Sequence, residues 1–149
     1  MDKALAHISE DGTRTQTVYE HLSGTARLAA AFAAPFGAAQ EAAYTAWLHD
    51  IGKYSAAFQQ RLAGGCATDH STAGAQEAMK SSVPHIQAAF AIAGHHTGLP
   101  DGGNRRTADA ADGTLFGRLK KPVAPYDGWR EVPLPQSAPP DWANRDPLD

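Results

Sequence analysis

Early in the chain, apolar side chains return at helical spacing. From Thr17 to Ala34 the positions Val18, His21, Leu22, Leu28, Ala29 and Phe32 follow the i, i+3, i+4, i+7 rule of one helix face, with Thr25 as a half-polar member. Gly24 weakens helix propensity in the middle of this stretch. Pro35 disfavours helix at Ala34, and Gly37 lets the chain turn. A second helix is expected from about Ala38 to Asp50, broken by Gly52. Ala39, Ala42, Ala43 and Ala46 mark its face, and the same spacing carries His49 and Asp50 to the inner edge of that face. Tyr54 to Leu62 reads as a short helix with Phe58 and Leu62 inward. Asp69 is a good N-cap for a helix over His70 to Lys80. Ser81, Ser82 and Pro84 mark another start, with Ile86, Ala89, Phe90 and Ala93 as its buried stripe and His96 continuing it. Thr114 to Lys121 forms a last short helix with Leu115, Phe116 and Leu119 inward. No alternating strand pattern stands out. The pattern therefore predicts an all-α bundle whose core contains Leu22, Leu28, Phe32, Trp47, Phe58, Ile86 and Phe90.

The chain has 149 residues, enough for one compact domain with a real core. From Pro122 onward prolines prevent a regular helix, dividing the chain into a helical domain over residues 1–121 and a proline-rich irregular tail over 122–149. Tyr126, Trp129 and Trp142 are its candidate anchors, and the tail either joins the domain or extends from it. Cys66 is alone, which excludes a disulfide framework and a multi-cysteine zinc site within the chain. The formal net charge of −3 gives no global attraction to nucleic acid, so a polyanion would need a local basic patch or metal ions. Met1 to Gly12 mixes charges without an apolar core and does not read as a signal peptide. No run approaches the roughly 18 apolar residues of a membrane helix. A soluble, cytoplasmic protein without membrane contact is expected. No glycine-rich phosphate loop ending in Gly-Lys-Ser/Thr is present.

A buried carboxylate is costly unless it is paired or bound to a cation. An inward His49-Asp50 doublet therefore points to a metal site if other helices supply ligands. His21, His70, His95 and His96 are the candidates. Imidazole with carboxylate suits manganese, iron, cobalt, nickel or zinc, and a bridging carboxylate can hold two such ions. Taken singly, His21 on an apolar stripe reads as a core histidine bonded to a carbonyl rather than a ligand, and Lys53 as an exposed lysine rather than a phosphate contact. Asp69 serves as a helix cap.

His21 followed by His49-Asp50 resembles the HD phosphohydrolase superfamily. A narrower resemblance rests on Leu48-His49-Asp50-Ile51-Gly52-Lys53, Asp69-His70-Ser71 and Gly94-His95-His96-Thr97-Gly98-Leu99-Pro100-Asp101-Gly102-Gly103. In this order they resemble the HD nuclease domain of the type I CRISPR interference nuclease-helicase, over roughly Val18 to Lys121. The resemblance implies a helical bundle that cuts single-stranded DNA with one or two divalent transition metals. It implies that His21, His49 and Asp50 hold one metal and Asp50, His70, His95 and His96 the other. It also places Asp50 and Lys53 in the catalytic machinery, with Lys53 on the substrate, and it favours the ligand reading of His21. That family completes its first metal site with an aspartate on a later helix. Here Asp127, Asp141 and Asp146 are available substitutes, none in a helical context, and no helicase accompanies the domain.

Three readings follow. The first is a nuclease domain hydrolysing single-stranded DNA in antiviral CRISPR interference, working with a separate helicase subunit or the RNA-guided surveillance complex. The second is a shortened mimic that occupies that complex and inhibits interference. The third is a phosphatase on a small nucleotide, against which the Gly94–Gly103 stretch argues.

Overall fold

A computed structural model describes residues 3–135. It is mostly helical, as the periodicity predicts. One element escaped that reading: an antiparallel hairpin of β1 (Leu5–Ile8) and β2 (Thr15–Thr17), in register Leu5↔Thr17, His7↔Gln16 and Ile8↔Thr15. Its turn is held by the Asp11 carboxylate, which accepts from the Ser9 hydroxyl at 2.6 Å and the Thr13 amide at 3.0 Å.

Thr17 ends β2 and caps the first helix, α1 (Val18–Ala33). Its hydroxyl accepts from the Glu20 amide at 3.1 Å, while the Glu20 carboxylate accepts from the Thr17 amide at 2.8 Å, a reciprocal capping box. A 3-10 turn over Ala34–Phe36 leads to α2 (Ala39–Leu48). This helix stops two residues short of the expected end. His49 keeps helical angles, but Asp50, at φ −122° and ψ 21°, leaves them and opens a 3-10 turn over Ile51–Tyr54. The doublet thus sits on the exit from α2 rather than within it. Gly52 lies inside the turn, and its role is proximity: a Cβ there would overlap the backbone of His70. Ser55 caps α3 (Ala56–Leu62) through the Phe58 amide at 3.2 Å. After α3 come α4 (Thr72–Lys80), α5 (Ile86–Gly94) and α6 (Leu115–Leu119). His70 therefore precedes α4 instead of lying in its first turn. Asp69 still acts as the cap, accepting from the Ser71 and Thr72 amides at 3.2 and 3.1 Å.

The core joins Val18, Leu22, Leu48, Ile51, Phe58, Ile92 and Leu115 to a run of alanines on α4 and α5. Gly74 on α4 faces the Leu48 carbonyl so closely that no Cβ fits, which lets α4 lie against the end of α2. Trp47, Ile86 and Phe90 are partly buried against this core. Leu28 and Phe32 are not in it; they are 55% and 75% exposed. The inner face of α1 is Val18, Leu22, Ala26 and Ala33, and at 100° per residue Leu28 and Phe32 point about a quarter to a third of a turn away from Leu22. Large side chains marked the wrong stripe because the facing surface is also built of alanine.

The chain from 122 to 135 packs onto the core through Val123, Tyr126, Trp129, Val132 and Leu134, with a 3-10 turn over Asp127–Glu131. The Tyr126 hydroxyl donates to Glu77 at 2.5 Å. Trp142, Asp141 and Asp146 lie outside the described residues. Among the described residues no helix is long and apolar enough to cross a membrane.

Candidate metal centre

Four segments meet at Asp50, which is 2% exposed. His21 projects from the middle of α1, His49 and Asp50 leave α2, His70 ends the extended segment before α4, and His95 and His96 follow α5. Oδ2 of Asp50 lies 2.8 Å from His21 Nε2 and 3.2 Å from His49 Nε2. Oδ1 lies 3.2 Å from His95 Nε2 and 3.5 Å from His70 Nε2. Those last two approaches lack hydrogen-bond geometry, so Oδ1 is buried with no hydrogen-bond partner. The carboxylate thereby divides the site into two groups that share it. His21, His49 and Asp50 form one; Asp50, His70, His95 and His96 form the other, and within each group the donor atoms lie within 4.8 Å of one another.

Backbone carbonyls orient the rings. Nδ1 of His49 donates to Ala46 at 2.6 Å, Nδ1 of His95 to Ile92 at 2.7 Å, and Nδ1 of His70 to Thr68 at 3.2 Å. A proton held on Nδ1 leaves the Nε2 lone pair pointing inward, the arrangement that prepares histidine as a ligand. Nε2 of His70 and His96 are 2.8 Å apart, and those of His21 and His49 3.1 Å. At that distance each pair either shares a proton between its two nitrogens or faces a common cation. Nitrogens bound at 2.0–2.1 Å in neighbouring octahedral positions stand about 3 Å apart, so the spacing fits a shared metal ion. Together with the unsatisfied Oδ1, the donor set suits a divalent first-row metal.

The charges agree with this arrangement. Burial alone would raise the Asp50 carboxyl, but the close approach of His21, His49 and His95 outweighs it and holds the group ionised far below the usual carboxylate range. Burial lowers His70 and His96. His95 is also pulled down by burial, yet the adjacent Asp50 carboxylate reverses this and raises it. Lys53 is not the exposed lysine that is usual for this residue type. It is 4% exposed, with Nζ 3.0 Å from Asp50 Oδ2.

Two histidines fall outside the sequence expectation. His85 is a buried core histidine: Nδ1 donates to the Glu41 carboxylate at 3.0 Å and the ring stacks on Tyr44 at 4.1 Å. His7, on β1, lies beside the centre, with Nε2 3.4 Å from Lys53 Nζ and its ring 5.0 Å from that of His21. A three- or four-residue strand gives almost no periodic signal, so nothing in the sequence singled it out. Asp127 is exposed and joins neither group.

A family model described as the HD domain matches residues 18–133. No curated protein and no solved structure matches the chain.

Proposed function

The chain belongs to the HD-domain family of metal-dependent phosphohydrolases, and from that premise we propose that it is a nuclease that hydrolyses single-stranded DNA in CRISPR interference. One observation carries the hydrolytic reading: two donor groups share the buried Asp50 carboxylate, with imidazole Nε2 atoms aimed at both of its oxygens. Resemblance of the three motifs around His49-Asp50, Asp69-His70 and His95-His96 supports the narrower choice of DNA over a small nucleotide.

His21, His49 and Asp50 would hold one ion, and Asp50, His70, His95 and His96 the other. When bound, such a pair supplies Lewis acidity toward a phosphoester and a water acidified enough to attack near neutral pH. The chain's own part is positional. Asp50 faces both donor groups, one oxygen toward each, the Ala46, Ile92 and Thr68 carbonyls lock three rings in orientation, and Lys53 offsets negative charge beside Oδ2. In this reading the DNA is presented by a separate helicase subunit or by an RNA-guided surveillance complex in the cytoplasm.

The test is cleavage of circular single-stranded DNA under manganese or nickel titration, run beside Asp50→Ala. Cleavage that rises with metal and vanishes in Asp50→Ala supports the reading; no cleavage at any metal concentration removes it. A second reading is favoured by the smaller first group, which has three donors among the described residues. Loss of one clamp ion costs on the order of 10²-fold or more in rate. A protein so weakened would act as a mimic that occupies the surveillance complex. Inhibition of interference by wild type and Asp50→Ala alike establishes that reading.

A further inference from the structure

The hairpin that carries His7 precedes the residues matched by the family, yet it is fastened to the centre. Gln59 on α3 accepts from the Leu5 amide at 3.0 Å and donates to the Leu5 carbonyl at 2.9 Å and to the Lys53 carbonyl at 2.8 Å. One side chain thus ties β1 to the backbone of the residue paired with Asp50. His7 lies two positions on, across an irregularity in the β1–β2 register, with its Nε2 3.4 Å from Lys53 Nζ.

Between β1 and α3 this leaves a pocket of about 410 Å³ bordered by His7, Lys53, Arg61, His70 and His96. Among the described residues no carboxylate lines it. Arg61 is exposed and lies over the Phe58 ring at 5.8 Å, and that ring stands 5.0 Å from His70. Among the described residues Arg61 forms no ion pair. It also borders a larger cleft of about 690 Å³ that continues past His70 and His96 to Arg118 and Lys121, both paired with Asp69, and to Asp112. His7 Nε2 accepts from the Lys53 ammonium, which places its proton on Nδ1 and gives the ring a free donor edge. A guanidinium and an imidazole N–H on the wall of a carboxylate-free pocket are donors suited to a phosphate.

We propose that this pocket binds a second phosphate group, the neighbour of the phosphoester held at the Asp50 centre, through Arg61 and the Nδ1–H of His7. Gln59 is the positioning residue that brings the hairpin into the site. The assignment rests on the phosphohydrolase reading and narrows it: the substrate carries phosphates in series, as a phosphodiester chain or a polyphosphate does, and a small monoester leaves the pocket empty.

The experiment uses full-length protein freed of metal by chelation, so that binding is read without turnover. Fluorescein-labelled octathymidylate is titrated by anisotropy at several salt concentrations, and inorganic tripolyphosphate is used as competitor. Arg61→Ala is expected to bind roughly five- to tenfold more weakly, with the log affinity against log salt slope reduced by about 0.7, the loss of one phosphate contact to a single strand. His7→Ala weakens binding with little change in slope, because a neutral donor is lost. Arg61→Lys restores the slope. A matching loss of tripolyphosphate competition in Arg61→Ala assigns the subsite to phosphate in any chain; a loss confined to DNA assigns it to the nucleotide chain. Unchanged affinity and slope in Arg61→Ala, or no binding by wild type, overturns the proposal. Manganese content after reloading is the control on His7, and its loss in His7→Ala overturns the assignment by making His7 part of the centre. A wild type that binds as expected and cleaves nothing defeats the nuclease reading while the subsite stands.

Discussion

Asp50 and Lys53 are both almost fully buried, and their 3.0 Å pair is one of several contacts that keep the carboxylate ionised where water hardly reaches. Because each oxygen of Asp50 faces a different histidine group, removing it should empty both sites. Removing His96 should disturb only the group with His70 and His95. Metal analysis after reloading with manganese is therefore expected to show near-complete loss in Asp50→Ala and partial loss in His96→Ala; equal content in Asp50→Ala and wild type refutes the shared carboxylate. Asp69 offers a separate test at the same scale. Burial would raise its carboxyl, but hydrogen bonds from Lys121 at 2.8 Å and the Thr72 hydroxyl at 2.7 Å prevail and hold it well below the usual range. A folded-state value below the unfolded one stabilises the protein above the unfolded value, and that stability is lost as pH falls through the folded one. Asp69→Asn should thus be less stable than wild type at pH 7, by about 1 kcal/mol once solvent screening at this partly exposed group is allowed for. The gap should narrow as pH falls below about 4. Urea denaturation between pH 7 and 3.5 measures it, and a gap constant with pH refutes the pairing.

The element scale shows what a sequence exposes and what it hides. Thr17 with Glu20, Ser55 before α3 and Asp69 before α4 are local signals, since a cap acts within three residues, and the helices begin close to them. His21, His49, Asp50, His70, His95 and His96 were legible for a similar reason: chemically unusual residues recur on or beside otherwise apolar stripes. The inner face of α1 was not, because alanine carries little periodic signal while Leu28 and Phe32 carry much. Nor was the burial of Lys53, which depends on a hairpin brought in from the start of the chain through Gln59. This difference between size and burial has a measurable consequence. Leu22→Ala should cost about 2–5 kcal/mol of unfolding free energy, whereas Phe32→Ala should stay within about 0.5 kcal/mol. Chemical denaturation of the two variants decides, and comparable losses would mean that the exposed face of α1 is covered in solution. Gly52→Ala tests a tighter constraint. With a Cβ forced against the His70 backbone, either the turn after α2 or the segment before α4 must move. The expected result is lower stability together with reduced manganese binding; wild-type values for both would show that the close approach is not required.

For the molecule as a whole, the centre adds a tie between elements joined mainly through packing and a few polar links such as His85 to Glu41. Its donors come from α1, from the exit of α2, from the approach to α4 and from the end of α5, so ions bound at the two groups together link four segments far apart in sequence. Without the ion, the buried Asp50 Oδ1 lacks a hydrogen-bond partner, a local arrangement that favours opening of the site. Unfolding scatters the donors, so a metal that binds the native chain and not the unfolded one adds stability in proportion to RT ln(1 + [metal]/Kd), about 2.7 kcal/mol at a hundredfold excess over Kd. In a domain of this size each kcal/mol moves the melting temperature by roughly 2–4 °C. Protein freed of metal should therefore melt about 5–11 °C below the manganese-loaded form, with the difference growing as the logarithm of added manganese once the site is saturated. Asp50→Ala should lose that dependence while still unfolding cooperatively, since the alanine-rich packing around Leu22, Leu48 and Ile92 does not include the carboxylate. Differential scanning calorimetry over a manganese series distinguishes the cases. A wild-type melting temperature indifferent to manganese, nickel and zinc would show that the convergence at Asp50 holds no ion, and the hydrolytic reading would fall with it.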